Sequence, residues 1–175
     1  MRVLVTGASG SGTTTLGKAL SVQMGASFFD TDDYFWLPTE VPYQEKRDEA
    51  DRLRLILADL QNASSAIVAG SIVGWGAELE DGFSLIVFLT LAAEIRVARL
   101  RVRELAQLGR IDSEFLEWAA QYEEGRLPGR SRARHEKWLA ERTCAVLGLD
   151  GDLTVEERVA RVTEVLSNKA MKPTR

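Results

Sequence analysis

The sequence predicts an α/β fold, a five-stranded parallel sheet with helices on both faces. Three observations predict it. Five short segments, at 3–6, 26–30, 66–69, 85–89 and 143–147, read as strands, and the first, third and fourth are apolar runs that do not alternate, as in strands buried on both sides. Longer stretches with helical periodicity separate them. The first and third runs end at glycine and the second at aspartate, the punctuation of a strand entering a loop.

The elements follow in order. The strand at 3–6 leads to a helix at 13–24, then to the strand at 26–30. Residues 45–61 read as a charged amphipathic helix before the third strand. A long helix at 91–108 follows the fourth strand and stops at Gly109. Asp112 can cap a helix at 113–124. Residues 125–133, GRLPGRSRA, form a loop, and a short helix at 134–142 precedes the fifth strand. Thr154 and Glu157 make a capping box for the last helix, and a polar tail begins at Asn168. The expected organisation is one domain over 1–167, with a flexible tail at 168–175.

With 45% hydrophobic residues the chain of 175 can bury a core. Its net charge of −4 argues against general nucleic-acid affinity, which needs a basic face. No apolar run reaches the ~18 residues that span a bilayer, and MRVLVTGASG does not read as a signal peptide. Cys144 is the only cysteine and His135 the only histidine, which excludes an internal disulfide and a His- or Cys-rich zinc site. The expectation is a soluble cytoplasmic protein, monomer or homodimer, with no nucleic-acid or membrane partner.

In parallel sheets, ligands bind beyond the carboxyl ends of the strands. The loop after the first strand is GASGSGTTT: Gly7, Ala8, Ser9, Gly10, Ser11, Gly12, Thr13, Thr14 and Thr15. Gly7 and Gly12 have the spacing of Gly-x-x-x-x-Gly-Lys-Ser/Thr, and Thr14 stands where a magnesium-binding hydroxyl belongs. Thr13 stands where the lysine should be. Glycines let backbone N–H groups converge on a phosphate, and the helix start adds partial positive charge. Lys18 lies one helical turn beyond Thr14 and would have to fold back to serve as the cation. The alternative is a glycine-rich turn without a ligand.

The loop resembles that of the nucleoside monophosphate kinase and shikimate kinase group. GSGTTT is similar to the loops of archaeal-type cytidylate kinases, which also carry threonine at the lysine position. The resemblance implies a P-loop kinase fold of the nucleoside monophosphate kinase type, with ATP and Mg2+ as cofactors and arginines elsewhere supplying the missing charge. FFDTDDYFW resembles the Phe-x-Asp-Thr-Asp segment of shikimate kinases. That likeness implies that Asp30 helps hold the metal and that Asp32 contacts the acceptor. No aspartate ends the third or fourth strand, which shifts metal binding toward Asp30 and Thr14. Tyr34, Phe35 and Trp36 read either as a stacking surface or as core wall. Arg47, Gly70 and Ser71 are candidates for substrate contact, and Trp75 is either a platform or a plug on the core.

On the long helix, Arg96, Arg99, Arg103 and Arg110 share one face, with Ala98, Val102 and Leu105 on the other. Arg96 reads as a solvated surface arginine, and Arg101 has no assigned place. Glu94, Arg99 and Arg103 fit the Glu-x-x-x-x-Arg-x-x-x-Arg pattern of adenylate kinases, which implies contact with the nucleotide and its phosphates. The same families close a lid that carries arginines. Here it would span about 110–133, with Arg130 and Arg134 as phosphate ligands. His135 reads as structural, and residues 148–151 either flank a nucleobase or form a simple turn. The expected reaction is transfer of the γ-phosphoryl group of ATP to a small-molecule acceptor, a nucleoside monophosphate first. A non-nucleotide alcohol, or a nucleotide-binding regulator with little turnover, is the alternative.

Overall fold

The computed structural model describes residues 1–170. Its elements are β1 (Arg2–Gly7), α1 (Thr13–Met24), β2 (Ser27–Asp30), α2 (Thr31–Phe35), α3 (Glu49–Asn62), β3 (Ala66–Ala69), α4 (Ala77–Glu80), β4 (Leu85–Thr90), α5 (Ala93–Leu108), α6 (Ser113–Ala120), α7 (Arg132–Ala140), β5 (Ala145–Asp150) and α8 (Val155–Ala170). The strands form one five-stranded parallel sheet in the order β2-β3-β1-β4-β5. The central strand β1 therefore lies between one neighbour on each side, and its loop opens at the point where the strand order reverses, which is where ligands bind in such sheets.

Alternation within the strands builds two cores. Leu4, Val68 and Ile86 turn to the face covered by α3, α4 and α7, where Ile56, Leu60, Leu79 and Trp138 are buried. Val3, Val5, Ile67, Leu85 and Val87 turn to the other face, against Leu16 and Leu20 of α1 and Val162 of α8. Each fully buried aliphatic side chain stabilises the fold by about 1.5–3 kcal/mol relative to exposure. A small third cluster, Leu100, Leu116 and Ala119, joins α5 to α6.

Several boundaries differ from the sequence reading, each for a local reason. α3 begins at Glu49 rather than at 45. Asp48 caps it by accepting from the Ala50 and Asp51 N–H groups. Residues 45–47 pair instead with 35–37, through Leu37 N–H to the Glu45 carbonyl and Arg47 N–H to the Phe35 carbonyl. α6 stops at Ala120. Ser131 caps α7, so that helix starts at Arg132. β5 runs to Asp150, because its register with β4 continues to the Thr90–Asp150 pair. α2 and α4 are too short to show periodicity. The predicted tail from Asn168 is helical to Ala170, and 171–175 lie outside the described residues.

The long helix departs most. Its buried line is Arg96, Leu100 and Glu104. Arg96 is fully buried rather than solvated. Its Nε donates to the Leu91 carbonyl at 3.0 Å, one terminal nitrogen to the Ala119 and Ser9 carbonyls at 2.9 and 3.3 Å, and the other to Glu123 at 2.6 Å. A buried guanidinium is tolerated when its donors are satisfied in this way. The apolar Val102 and Leu105 face solvent, 70% and 51% exposed. Among the described residues, no helix is long and apolar enough to cross a membrane.

Candidate active site

The carboxyl ends of β1 and β2 open into a cleft of about 1130 Å³, lined by Gly10, Gly12, Thr13, Thr14, Thr15, Asp30, Asp32, Asp33, Arg47, Arg99, Arg103 and Arg158 among others. The glycine loop holds its shape by backbone geometry. Gly10 and Gly12 take positive φ of 82° and 95°, and the Ser11 N–H bonds the Ala8 carbonyl. Gly7 packs so closely on β4 that a Cβ there would lie 2.5 Å from the Leu89 carbonyl oxygen. Gly12 caps α1 with no side-chain acceptor for the first-turn N–H groups. Those donors are the parts of an anion site at a helix N-terminus.

Across the loop mouth, the Thr14 hydroxyl donates to Asp30 Oδ2 at 2.9 Å. The other oxygen of Asp30 accepts the Asp32 N–H at 3.1 Å, which starts α2. A hydroxyl and a carboxylate in contact are hard oxygen donors. They fit magnesium, which is commonly held by one or two protein oxygens together with substrate phosphates and water.

Asp32 sits in a field of mixed sign. Burial pushes its carboxyl above the ordinary aspartate range, the neighbouring Asp30 adds to that, and Arg130 and Arg103 oppose it. Burial and Asp30 likewise raise Asp33, opposed by Lys18. Burial lowers the Arg130 pKa against the pull of Asp32. Arg103 and Arg130 thus flank Asp32 electrostatically. Lys18 stands over the Phe28 ring, 5.8 Å from its centre.

Other candidates have different surroundings. Arg47 donates from Nε to the Tyr34 carbonyl at 3.0 Å and from Nη2 to the Trp36 carbonyl at 3.4 Å, so its guanidinium braces the chain beside the cleft. Ser71 is buried, with its hydroxyl 3.1 Å from His135 Nε2, and His135 Nδ1 lies 2.7 Å from the Tyr122 hydroxyl. Burial, with Arg130 and Arg134 nearby, pushes the His135 pKa down to about 4, so the ring is neutral and structural. Gly70 has φ 122° and packs against Thr31. Arg134 is exposed on α7, bonded to the Gly129 carbonyl, with its other terminal nitrogen near Gly74 rather than the glycine loop. Arg99 pairs with Asp152. Tyr34 and Trp75 are core, with Tyr34 donating to Asp59 at 2.6 Å. Trp36 lines the cleft. Gly148 lies within β5, and only Gly151 belongs to the loop beyond it.

Two cleft residues were not found from the sequence. Tyr43 has left-handed backbone, φ 64°, an uncommon state for a bulky residue, and its hydroxyl feels Asp32 and Arg103. Arg158 lies in the first turn of α8 and reaches back to the Ser11 carbonyl. The available signal was positional, since side chains early in a helix lean toward its N-terminus, here the ligand edge of the sheet.

No family model matches the chain. Among solved structures it is similar to shikimate kinase from Acinetobacter baumannii in complex with shikimate, with TM-score 0.62 and 15% identity, covering 98% of this chain and 95% of that one. It is also similar to deoxyadenosine kinase from M. mycoides with bound dATP, with TM-score 0.61 and 14% identity, covering 95% and 100%. Likeness at such identities carries the fold, a P-loop kinase fold. In sequence it is 40% identical over 174 residues to the uncharacterized protein YqaC of Bacillus subtilis (strain 168), covering 94% of this chain and 96% of that protein. At that identity and coverage, the chain belongs to the YqaC family.

Proposed function

We propose that this chain is an ATP-dependent phosphotransferase acting on a hydroxyl group of a small molecule. The observation that carries the reading is the Thr14–Asp30 contact at the mouth of the glycine loop, with Asp32 two residues further on at the same edge. In one cleft, that arrangement supplies phosphate donors, oxygen ligands for a metal, and a carboxylate to orient an acceptor.

The chain's own groups divide the chemistry. The first-turn N–H groups of α1 hold the phosphates. Thr14 and Asp30 would hold magnesium, which when bound screens the negative charge of the phosphates. Arg103 and Arg130 stabilise charge that develops on the transferred group. The acceptor oxygen forms a bond to the γ-phosphorus as the bond to the β-phosphate oxygen breaks, and ADP leaves. Asp32 accepts the proton of the acceptor hydroxyl and returns it to solvent. Its pKa, raised chiefly by burial, makes its carboxylate a stronger base than that of an ordinary aspartate.

The sequence alone put a nucleoside monophosphate first. The geometry favours a hydroxyl acceptor, because Asp30, Asp32 and Asp33 crowd the acceptor side and Arg47 is engaged with carbonyls. A phosphate acceptor needs no base and is repelled by carboxylates. The monophosphate reading keeps one supporting observation, the Trp36 and Tyr43 rings at the cleft, 6.0 Å apart and edge to face, where a base can stack. Phosphorus NMR with Mg-ATP separates the readings, using one panel of small alcohols and one of nucleoside monophosphates. A new phosphomonoester signal with an alcohol, lost in Asp32→Asn, is the expected result. A diphosphate signal with one monophosphate favours the second reading. ATP bound but intact across both panels overturns both readings and favours a regulator.

A further inference from the structure

The loop has threonine at the lysine position, and the charges of Arg130 and Arg103 act on Asp32. A different guanidinium reaches the loop itself. Arg158 of α8 is 3% exposed, and it donates from Nη1 to the Ser11 carbonyl at 2.9 Å and from Nη2 to the Gly151 carbonyl at 3.0 Å. A Cβ built on Gly12 would lie 3.1 Å from Arg158 Nη1 and 4.0 Å from Arg99 Nη1, so both guanidiniums stand at the loop's last glycine. Arg158 Nε is buried with no hydrogen-bond partner among the described residues. The nearest acid acting on this pair is Asp152, which is bonded to Arg99.

A buried guanidinium beside a second one, with one donor unanswered, is costly unless an anion completes the site. Burial and the Arg99 charge push the Arg158 pKa down, which agrees with a shortage of negative charge at this point. The flanking donors are backbone amides of a loop built to face phosphate. Arg96 holds the Ser9 carbonyl from the opposite side, but each of its three side-chain nitrogens already has an acceptor. Arg158 combines a hydrogen bond to the loop with a buried donor that has no partner among the described residues.

We propose that Arg158 is the resident cation of the phosphate-binding loop in place of the absent lysine, binding the polyphosphate chain of a nucleotide while it holds the loop through Ser11. The proposal rests on the nucleotide-binding reading above. The test is calorimetric binding of inorganic tripolyphosphate and of adenosine to the full chain. In Arg158→Gln the tripolyphosphate dissociation constant should rise by about ten- to a hundred-fold, as when a charged hydrogen bond is removed. Adenosine affinity should stay within about two-fold, and Arg158→Lys should recover most of the loss, a rescue that a purely structural role would not show. Tripolyphosphate affinity unchanged in Arg158→Gln, or lost in proportion with adenosine, overturns the proposal.

Because Arg158→Gln can also disturb folding, the wild-type chain supplies an independent measurement. The Arg158 Nε–H resonance should shift and gain exchange protection when tripolyphosphate is added, and not when adenosine is added. No response to bound tripolyphosphate overturns the proposal by itself. A wild type that binds neither probe fails the nucleotide reading and this proposal together. A wild type that binds tripolyphosphate, with Arg158→Gln binding it equally well, fails only this one.

Discussion

At the scale of single residues, the Thr14–Asp30 contact makes a sharp prediction. Asp30→Asn removes the negative charge but keeps an amide oxygen for the Asp32 N–H, so the fold should survive. Turnover with Mg-ATP should fall by about 10²-fold or more, in line with removal of one electrostatic stabiliser, and the magnesium concentration for half-maximal rate should rise. A rate unaffected by magnesium in both proteins would remove the metal from Asp30. His135 gives a test of packing rather than chemistry. Its ordinary pKa of 6.5 is pushed down to about 4, so the folded state disfavours the protonated ring. The unfolded chain therefore binds the proton first as pH falls. The stability from neutral His135 is fully present above about pH 6.5 and is lost progressively down to about pH 4, on the order of 3 kcal/mol in total. Asp32 and Asp33, with raised pKa values, act in the opposite sense, so the difference between wild type and His135→Gln isolates the ring. Urea melts across that range should show wild type losing stability faster than the variant. Parallel curves would mean that the ring is protonated without cost.

At the scale of elements, the loops after β1 and β3 depend on glycine for different reasons. Gly12 needs a left-handed turn so that α1 can begin against Arg158. Gly70 is a matter of space, since a Cβ there would lie 1.8 Å from the Thr31 hydroxyl and 3.0 Å from its Cβ. Gly70→Ala, at φ 122°, should destabilise the protein by more than about 2 kcal/mol, combining backbone strain with overpacking. Adding Thr31→Ala should restore part of that loss, because it removes the hydroxyl and not the strain. A double-mutant cycle measures the coupling, and strict additivity would show that the clash is relieved elsewhere. The sheet was legible because its three central strands are buried and write continuous apolar runs, with the half-exposed edge strands β2 and β5 flanking them, and α1 was legible to the residue because glycines bound it at both ends. α5 was misread. Its 3.6-residue period is visible, but periodicity does not say which stripe is buried. Arg96 and Glu104 occupy the buried line because carbonyls and a carboxylate from distant elements satisfy Arg96, while Glu104 accepts the Asp112 N–H. Such partners lie far away in sequence and leave no local pattern. The same reason hid Arg158, which is 147 positions from Ser11, and hid the bracing of Tyr34 and Trp36 by Arg47. The glycine loop and the acidic cluster were legible because each is contiguous.

At the scale of the whole molecule, the cleft ties together parts of the chain that are remote in sequence. The loop after β1 is held by Arg96 from α5 on one side and by Arg158 from α8 on the other, and Arg99 crosses to Asp152 beyond β5. A ligand that fills the cleft therefore bears on the first strand, the long helix and the last helix at once, and its binding free energy should appear as global stability. A ligand present at a hundred times its dissociation constant stabilises the native state by about 2.7 kcal/mol when it has no affinity for the unfolded chain. For a domain of this size, each kcal/mol raises the melting midpoint by about 2–4 °C. Saturating Mg-ATP should thus raise the midpoint by roughly 5–11 °C. ATP with a chelator should raise it by less, because the phosphates then meet Asp30 without screening. In Asp30→Asn that repulsion is already gone, so the gap between ATP with and without magnesium should narrow while ATP alone still stabilises. A wild-type midpoint that does not move with either form of ATP, while the fold is intact, would separate the architecture from nucleotide binding and leave the cleft to another anion. A midpoint that moves equally with and without magnesium would keep the nucleotide and remove the Thr14–Asp30 pair from its recognition.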